Sequence, residues 1–253
     1  MDSELIIHPI YETVTGTFQY IVTDPSSLAT VIIDPVLDFD PCTSSISTKS
    51  ADTLLSLIRE NDYKVDYILE THAHADHLSA ASYLQARLLE TGTRPQIGIG
   101  KRIDQVQALF GRRYGVCAKD YERVFDVLFE DNEVIQVGAM QIKAIHLPGH
   151  TPDHLGYQIG FNVFCGDSLF HPSIGTARTD FPGGSADDLW ASAQKLLALH
   201  DDTKIWVGHD YPAKGRDPAP HMTVKQHKEV NQHVKMGGTG GAEAVASELA
   251  DQC

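Results

Sequence analysis

The stretch Thr71-His72-Ala73-His74-Ala75-Asp76-His77 carries three histidines and one aspartate within six consecutive positions. It follows residues 65–70, an apolar and acidic run that predicts a strand ending at Glu70. Imidazole and carboxylate groups on one short loop repel each other when charged, and burying them without partners costs several kcal/mol. A divalent cation removes that cost by accepting their lone pairs. We therefore predict a metal site here, in preference to a solvated histidine-rich loop.

Three further ligand-type residues also follow predicted strands. They are His150 after residues 140–146, Asp167 after residues 162–165, and His209 after residues 204–207. A layered β-scaffold assembles a metal site from distant parts of the sequence in this way. We therefore expect the four strand ends to bring these side chains and the first stretch together.

The length and composition predict one globular domain. The chain has 253 residues, of which 42% are hydrophobic and 21% are charged, and this is enough to bury a full core. We assign residues 1–235 to that domain. Residues 236–253 open with the glycine-rich run 236–241, so we predict a flexible C-terminal tail there.

The charge balance limits the classes of partner. Twenty lysines and arginines stand against 34 acidic residues, and the formal net charge is -14. Nucleic acid and anionic membrane surfaces would be repelled at long range, so we expect neither as a partner. Nothing in the sequence decides the oligomeric state, and a homodimer remains open.

Cysteine spacing and the N-terminus favour a cytoplasmic location. The four cysteines are scattered without a CxxC pair, which suits a reducing compartment better than a disulfide framework. The first residues lack the features of a signal peptide or an Arg-rich presequence, and no run approaches the ~20 apolar residues of a spanning helix. A mitochondrial location is the alternative.

Four motifs resemble those of the metallo-β-lactamase superfamily. They are THAHADH at 71–77, PGHTPDH at 148–154, CGDSLF at 165–170 and GHDY at 208–211. The resemblance extends over roughly residues 5–235 and is strongest to the glyoxalase II and persulfide dioxygenase branches. It implies an α+β fold, a four-layer αββα sandwich with the metal site at one edge, and it implies that Asp167 lies between two metal positions.

The resemblance leaves two ligand schemes. In a binuclear zinc hydrolase, His72, His74 and His150 would hold one Zn²⁺, and Asp76, His77 and His209 would hold the second, with Asp167 as the bridge. A hydroxide between the two cations would then attack a thioester, lactone or lactam. In a dioxygenase, His72, His150 and Asp167 alone would hold one Fe(II). In both schemes we predict Asp76 and Asp167 to be the catalytic residues.

The loop at residues 174–184 favours the dioxygenase, because it is similar to the persulfide dioxygenase version. We also expect the chain to lack the separate C-terminal helical region with which glyoxalase II holds glutathione. We therefore expect oxidation of glutathione persulfide with O₂ to sulfite, and keep the glyoxalase II-like or lactamase-like hydrolase as the alternative. A third class, a metal-binding protein without turnover, is disfavoured because structural sites are closed by four ligands and seven are present here.

A small anionic thiol or acyl compound is the expected substrate. We assign Arg178, Tyr211 and Lys214 to substrate binding, and Arg216 follows Lys214 closely enough to add a second cation. In a chain of net charge -14, cations near the metal edge would attract an anion such as glutathione persulfide.

Overall fold

The computed structural model describes residues 4–40 and 42–235. The strands are β1 (Ile6–Glu12), β2 (Thr17–Thr23), β3 (Ala29–Ile33), β4 (Val36–Asp40), β5 (Ser45–Ser47), β6 (Lys64–Leu69), β7 (Leu78–Ser79), β8 (Gln96–Gly100), β9 (Val127–Phe129), β10 (Val134–Val137), β11 (Met140–His146), β12 (Leu155–Ile159), β13 (Asn162–Phe164), β14 (Lys204–Trp206) and β15 (His221–Thr223). The helices are α1 (Lys49–Glu60), α2 (Ala81–Leu89), α3 (Ile103–Tyr114), α4 (Ala186–Leu197), α5 (Val224–Val230) and α6 (Gln232–Lys235).

Two six-stranded sheets form the centre of the molecule. The first has the order β1-β2-β3-β6-β8-β9, and the second has the order β10-β11-β12-β13-β14-β15. In the first sheet β3, β6, β8 and β9 pair in parallel, while β1, β2 and β3 form an antiparallel meander. A small third sheet joins β5, β4 and β7.

Strand alternation builds one core between the sheets and another core outside each of them. In β2, Tyr20 packs in the central core whereas Ile21 packs in the core beneath α1 and α2. In the second sheet, Phe164 packs in the central core and Val163 packs in the core beneath α4 and α5. Because both faces of each sheet are covered, these strands are apolar at successive positions. The αββα sandwich predicted from the motifs is therefore confirmed.

Short elements and helix ends complete the architecture. Strand β5 follows β4 after a short turn, and all three of its residues are exposed. The two-residue strand β7 precedes α2, which begins at Ala81. Helix α3 ends at Tyr114, where Gly115 takes the left-handed conformation. Helix α5 ends at Val230, and Asn231 separates it from α6.

The predicted tail at residues 236–253 lies outside the described residues. Within the described part, every helix falls short of the length and apolar character needed to cross a bilayer. Cys42 and Cys117 are exposed free thiols, and Cys165 is a buried free thiol.

Candidate metal centre

The predicted ligand residues meet where strands of both sheets end. His72 follows β6, His150 follows β11, Asp167 follows β13 and His209 follows β14. The backbones near these ends are joined directly, since the Leu155 N–H donates to the Thr71 carbonyl across the two sheets and the Gly208 N–H donates to the Gly166 carbonyl. The structure therefore brings together the four strand ends that were expected to converge.

Asp167 occupies the middle of the group. Its Oδ2 lies 3.7 Å from His72 Nε2, 3.6 Å from His150 Nε2 and 3.5 Å from His209 Nε2. The Nε2 of His209 is also 3.3 Å from Oδ2 of Asp76. Asp167 thus faces three imidazoles, and His209 faces two carboxylates.

The ligand-type atoms of the described residues fall into three sets, and within each set the atoms lie within 4.8 Å of one another. The first set is His72, His150 and Asp167, the second is His74, Asp76 and His77, and the third is Asp34, Glu70 and His74. The first two sets each offer two imidazoles and one carboxylate, which suits zinc, iron or manganese. The first set is the face predicted for a dioxygenase, whereas the hydrolase scheme predicted His74 beside His72 and His150.

Two glycines in the motifs are required by packing. A Cβ at Gly208 would lie 2.3 Å from Asp167 Oδ1, so any side chain there would displace the central carboxylate. Gly149 has φ +137, and a Cβ on it would lie 2.3 Å from the Leu189 backbone at the start of α4. The loop that carries His150 can approach α4 only because residue 149 has no side chain.

Hydrogen bonds fix the tautomer of His72 and His150. The Thr71 hydroxyl donates to Asp34 Oδ2 at 2.9 Å and so accepts from His72 Nδ1, also at 2.9 Å. His150 Nδ1 lies 2.8 Å from the Arg178 carbonyl, which can only accept. Both rings therefore present Nε2 with its lone pair toward Asp167.

The His74 ring has the opposite orientation to those of His72 and His150, because its Nε2 rather than its Nδ1 contacts the protein. Its Nε2 contacts Glu70 Oε2 at 3.2 Å and Asp34 Oδ1 at 3.3 Å, so Nδ1 is the atom left for a ligand role. His77 uses Nδ1 on the Leu78 carbonyl at 3.3 Å and leaves Nε2. In each ring one nitrogen is held by the protein and the other faces no hydrogen-bond partner among the described residues.

Four buried polar atoms without hydrogen-bond partners fit a bound cation. Among the described residues, His72 Nε2, His74 Nδ1, His77 Nε2 and Asp167 Oδ1 are buried and have no hydrogen-bond partner. Leaving four such atoms unpaired would cost free energy that ligation to a divalent cation removes. The residues present therefore fit a metal cofactor.

Electrostatics act differently on His72 and His74. Burial, reinforced by neighbouring histidines, holds the pKa of His72 well below its usual value, so this imidazole stays neutral. Burial opposes protonation of His74 as well, but the carboxylates of Asp34 and Glu70 outweigh it and raise the pKa of His74. The two carboxylates therefore favour a proton on each nitrogen of His74, and a cation that binds Nδ1 has to displace the proton there.

A cavity of about 520 Å³ opens onto the centre, and we call it the catalytic cavity. Its lining includes Asp76, His150, Asp167, Ala75, Phe170, Thr176, Arg178, Phe181, His209 and Tyr211. Tyr211 stacks on His209 with ring centroids 5.7 Å apart, and burial with the charge of Asp167 raises its pKa. The Tyr211 hydroxyl therefore keeps its proton. Tyr211 lines the cavity and is 54% exposed, so it lies at the cavity mouth.

The three basic residues predicted near the substrate, Arg178, Lys214 and Arg216, have different surroundings. Arg178 lines the catalytic cavity, its Nε donates to Asp180 Oδ1 at 2.6 Å, and its guanidinium lies 5.1 Å from the Phe181 ring centroid. Lys214 is in an exposed loop and is not among the residues that line the cavity. Arg216, predicted to add a second cation to the pocket, instead pairs with the buried Asp210.

A family model of the metallo-beta-lactamase superfamily matches residues 20–209. The chain belongs to this superfamily. The motif at residues 71–77 lies within the matched region and contributes to each set of ligand-type atoms.

Three similar proteins place the chain within the superfamily. The "Beta-lactamase hydrolase-like protein" of Xylella fastidiosa is 41% identical over 221 residues, covering 87% of this chain and 50% of that protein. Human "Persulfide dioxygenase ETHE1, mitochondrial" is 29% identical over 210 residues, covering 82% of this chain and 69% of that protein. The crystal structure of ETHE1 from Myxococcus xanthus superposes with a TM-score of 0.73 at 25% identity, covering 96% of this chain and 91% of that one.

The first of these relatives is about twice as long as the matched region. The chain spans half the length of the Xylella protein, so the activity of that whole protein is not transferred to it. The predicted resemblance to the superfamily, with a persulfide dioxygenase among the relatives, is confirmed.

Sequence reasoning missed two acidic residues that orient His74. Asp34 and Glu70 each follow a buried strand, and Ile33 and Leu69 before them are paired in parallel register. An acidic residue after each of two apolar strands was the available signal. Asp153 was also missed: it is fully buried, and its Oδ2 accepts the Ala73 N–H at 3.1 Å, which fixes the loop between His72 and His74.

Proposed function

We propose that this metallo-β-lactamase-fold enzyme is a persulfide dioxygenase that oxidises glutathione persulfide with O₂ to sulfite. The observation that carries the proposal is the face formed by His72, His150 and Asp167, whose ligand-type atoms lie within 4.8 Å of one another. Two imidazoles and one carboxylate on one face, with other positions open, are the ligand set of non-haem Fe(II) oxygenases. The human relative named as a persulfide dioxygenase supports the same choice.

His72, His150 and Asp167 would hold one Fe(II), which supplies redox chemistry with O₂ when bound. Overall, glutathione persulfide, O₂ and water yield glutathione, sulfite and two protons: the S–S bond breaks, and the outer sulfur is oxidised. Asp76 and His209 lie beside this face, 3.3 Å apart. They are placed to hold a proton or a water molecule next to the reacting sulfur.

The catalytic cavity supplies the contacts that position the substrate. Arg178 offers a planar cation to a carboxylate of glutathione, and Tyr211 offers a hydroxyl at the cavity mouth. Phe181 packs edge-on against His150 with centroids 5.0 Å apart and covers one side of the face. Lys214 has no part in this proposal, because it is not among the residues that line the cavity.

A binuclear zinc hydrolase is the second candidate, and a specific observation favours it. His74 Nδ1 and His77 Nε2 are buried without partners, and a nitrogen of each ring lies within 4.8 Å of the Asp76 carboxylate. His209 Nε2 lies 3.3 Å from Asp76 and 3.5 Å from Asp167. A second metal held by Asp76, His77 and His209 would make Asp167 a bridge, as expected of a site that cleaves a thioester, lactone or lactam.

Metal content and O₂ uptake together test the proposal. Anaerobically purified protein is expected to hold about one iron per chain, and glutathione persulfide is expected to drive O₂ consumption with sulfite formed in equal amount. Hydrolysis of a lactoylglutathione-type thioester without O₂ consumption, by protein holding about two zinc ions, would reject the dioxygenase and establish the second candidate.

Asp76→Ala and His209→Ala separate the two candidates. In the dioxygenase both variants are expected to keep about one iron per chain while losing most activity, because neither residue belongs to the three-residue face. In the hydrolase each variant would lose one of two metals. Elemental analysis beside activity gives the answer, and loss of all metal from both variants would contradict both ligand schemes.

Arg178→Ala tests the substrate-binding cation. We expect KM for glutathione persulfide to rise about tenfold or more with a smaller change in kcat, since a charge-assisted bond contributes roughly 1.5–3 kcal/mol to ground and transition state alike. The backbone carbonyl that holds His150 is retained. Asp180→Asn is the matched control: it removes the carboxylate that competes for the guanidinium, so KM is expected to stay level or fall. An unchanged KM in Arg178→Ala would remove Arg178 from the substrate site.

A further inference from the structure

A second cavity lies against the metal centre, on the other side of His150. Its volume is about 570 Å³, and it shares Ala75, His150 and Phe181 with the catalytic cavity. His74 also forms part of its wall. We call it the side cavity. The shared residues place the side cavity directly beside the catalytic cavity.

The walls of the side cavity are mostly apolar, and their polar members are His74, Gln107, Tyr121, His150 and Thr151. Ile103, Val106 and Phe110 contribute from α3, and Phe125 contributes from the segment that follows. These four side chains pack together in one hydrophobic cluster. None of the residues that line the cavity is Asp, Glu, Lys or Arg, although the chain as a whole has a formal net charge of -14.

The lining determines what the side cavity can hold. Water there finds few hydrogen-bond partners, and a charged group would lose hydration without gaining an ion pair. An apolar group gains free energy in proportion to the surface it buries. The charged body of glutathione therefore belongs in the catalytic cavity with Arg178, and the side cavity is left for a different chemical group.

We propose that the side cavity binds the alkyl or aryl group of a second class of substrate, small organic persulfides with an apolar substituent of about four to eight carbons. The sulfur-bearing end of such a molecule lies at the His72, His150 and Asp167 face, and the apolar group passes His150 toward α3. The nature of the reacting end rests on the proposed function, but the binding of the apolar group does not.

Straight-chain alkanethiols, from ethanethiol to octanethiol, are the probes. They carry the sulfur and the alkyl group but are not oxidised when O₂ is absent. Titration calorimetry of the full chain, loaded with Fe(II) under anaerobic conditions, is expected to show affinity rising about three- to fourfold for each methylene until the cavity is filled. Equal affinity along the series would overturn the proposal.

Substitutions in α3 show where the alkyl chain binds. Val106→Phe fills the side cavity, and we expect it to weaken hexanethiol binding about tenfold or more while changing ethanethiol binding less than about twofold. Leu109→Ala is the matched control, because Leu109 is on the same helix but does not line the cavity, and the series is expected to keep its slope. A rise that survives unchanged in Val106→Phe would overturn the assignment to this cavity.

Phe110→Ala tests the same assignment if Val106→Phe does not fold. It removes a side chain from the wall and so enlarges the side cavity. The affinity rise is then expected to continue to longer thiols than in the unmodified protein, and an unchanged series would overturn the proposal.

Failure of the side-cavity proposal is distinguishable from failure of the proposed function. A flat thiol series with normal O₂ uptake on glutathione persulfide rejects the side-cavity proposal alone, and a rising series without O₂ uptake rejects the dioxygenase alone.

Discussion

Replacing Asp167 by alanine is expected to abolish turnover and remove most of the bound metal. The carboxylate faces the Nε2 atoms of His72, His150 and His209 at 3.5–3.7 Å, and it is 5% exposed. Asp167 is a ligand in both candidate schemes, so the loss does not depend on which reaction is correct. We expect kcat/KM to fall by about a thousandfold or more, equivalent to about 4 kcal/mol of transition-state stabilisation. Activity and elemental analysis of the purified variant provide the measurement.

Two further variants make this result specific. Asp167→Asn keeps the side-chain shape but removes the charge, so it separates loss of ligation from loss of packing. Asp202→Ala removes a carboxylate whose side chain is 83% exposed, and it is expected to retain full activity and metal. If Asp167→Ala kept its metal and its turnover, the ligand assignment of the whole centre would be wrong.

Much of the fold was predictable because its signals are local. Each motif directly follows a strand, and a residue that follows a strand must lie at that end of the sheet. This is why His72, His150, Asp167 and His209 could be expected to converge before any contact was known. The small sheet containing β5 was missed for the same reason, since Ser45–Ser47 is fully exposed and gives no hydrophobic pattern.

Side-chain partners across the fold were much harder to predict. The contact of His74 with Asp34 spans forty positions and depends on the parallel register of β3 and β6. Likewise, the spacing of Arg216 from His209 suggested a pocket cation, but only the path of the chain shows that its guanidinium turns to Asp210. Sequence reasoning located the centre but could not assign each charge to its partner.

The Asp210–Arg216 pair lies directly behind the metal centre. Arg216 Nη1 and Nη2 donate to the two oxygens of Asp210, each at 2.6 Å, and the Asp210 side chain has no exposed surface. Asp210 also accepts the Ala219 N–H at 2.8 Å, and its own N–H donates to the Gly16 carbonyl. The pair thus fixes the segment that carries His209 against the first sheet.

Arg216→Ala is expected to lower the free energy of unfolding by about 3 kcal/mol, because it leaves the buried Asp210 carboxylate without its counter-ion. Denaturant titration by circular dichroism measures the change. The double variant Asp210→Asn/Arg216→Met removes both charges, keeps an acceptor for Ala219, and is expected to recover a large part of the loss. Lys228→Ala, which breaks an exposed pair with Asp201, is the matched control and is expected to change stability far less. Equal, small effects of Arg216→Ala and Lys228→Ala would show that Asp210 is satisfied without Arg216, and the guanidinium would again be available for an anionic substrate.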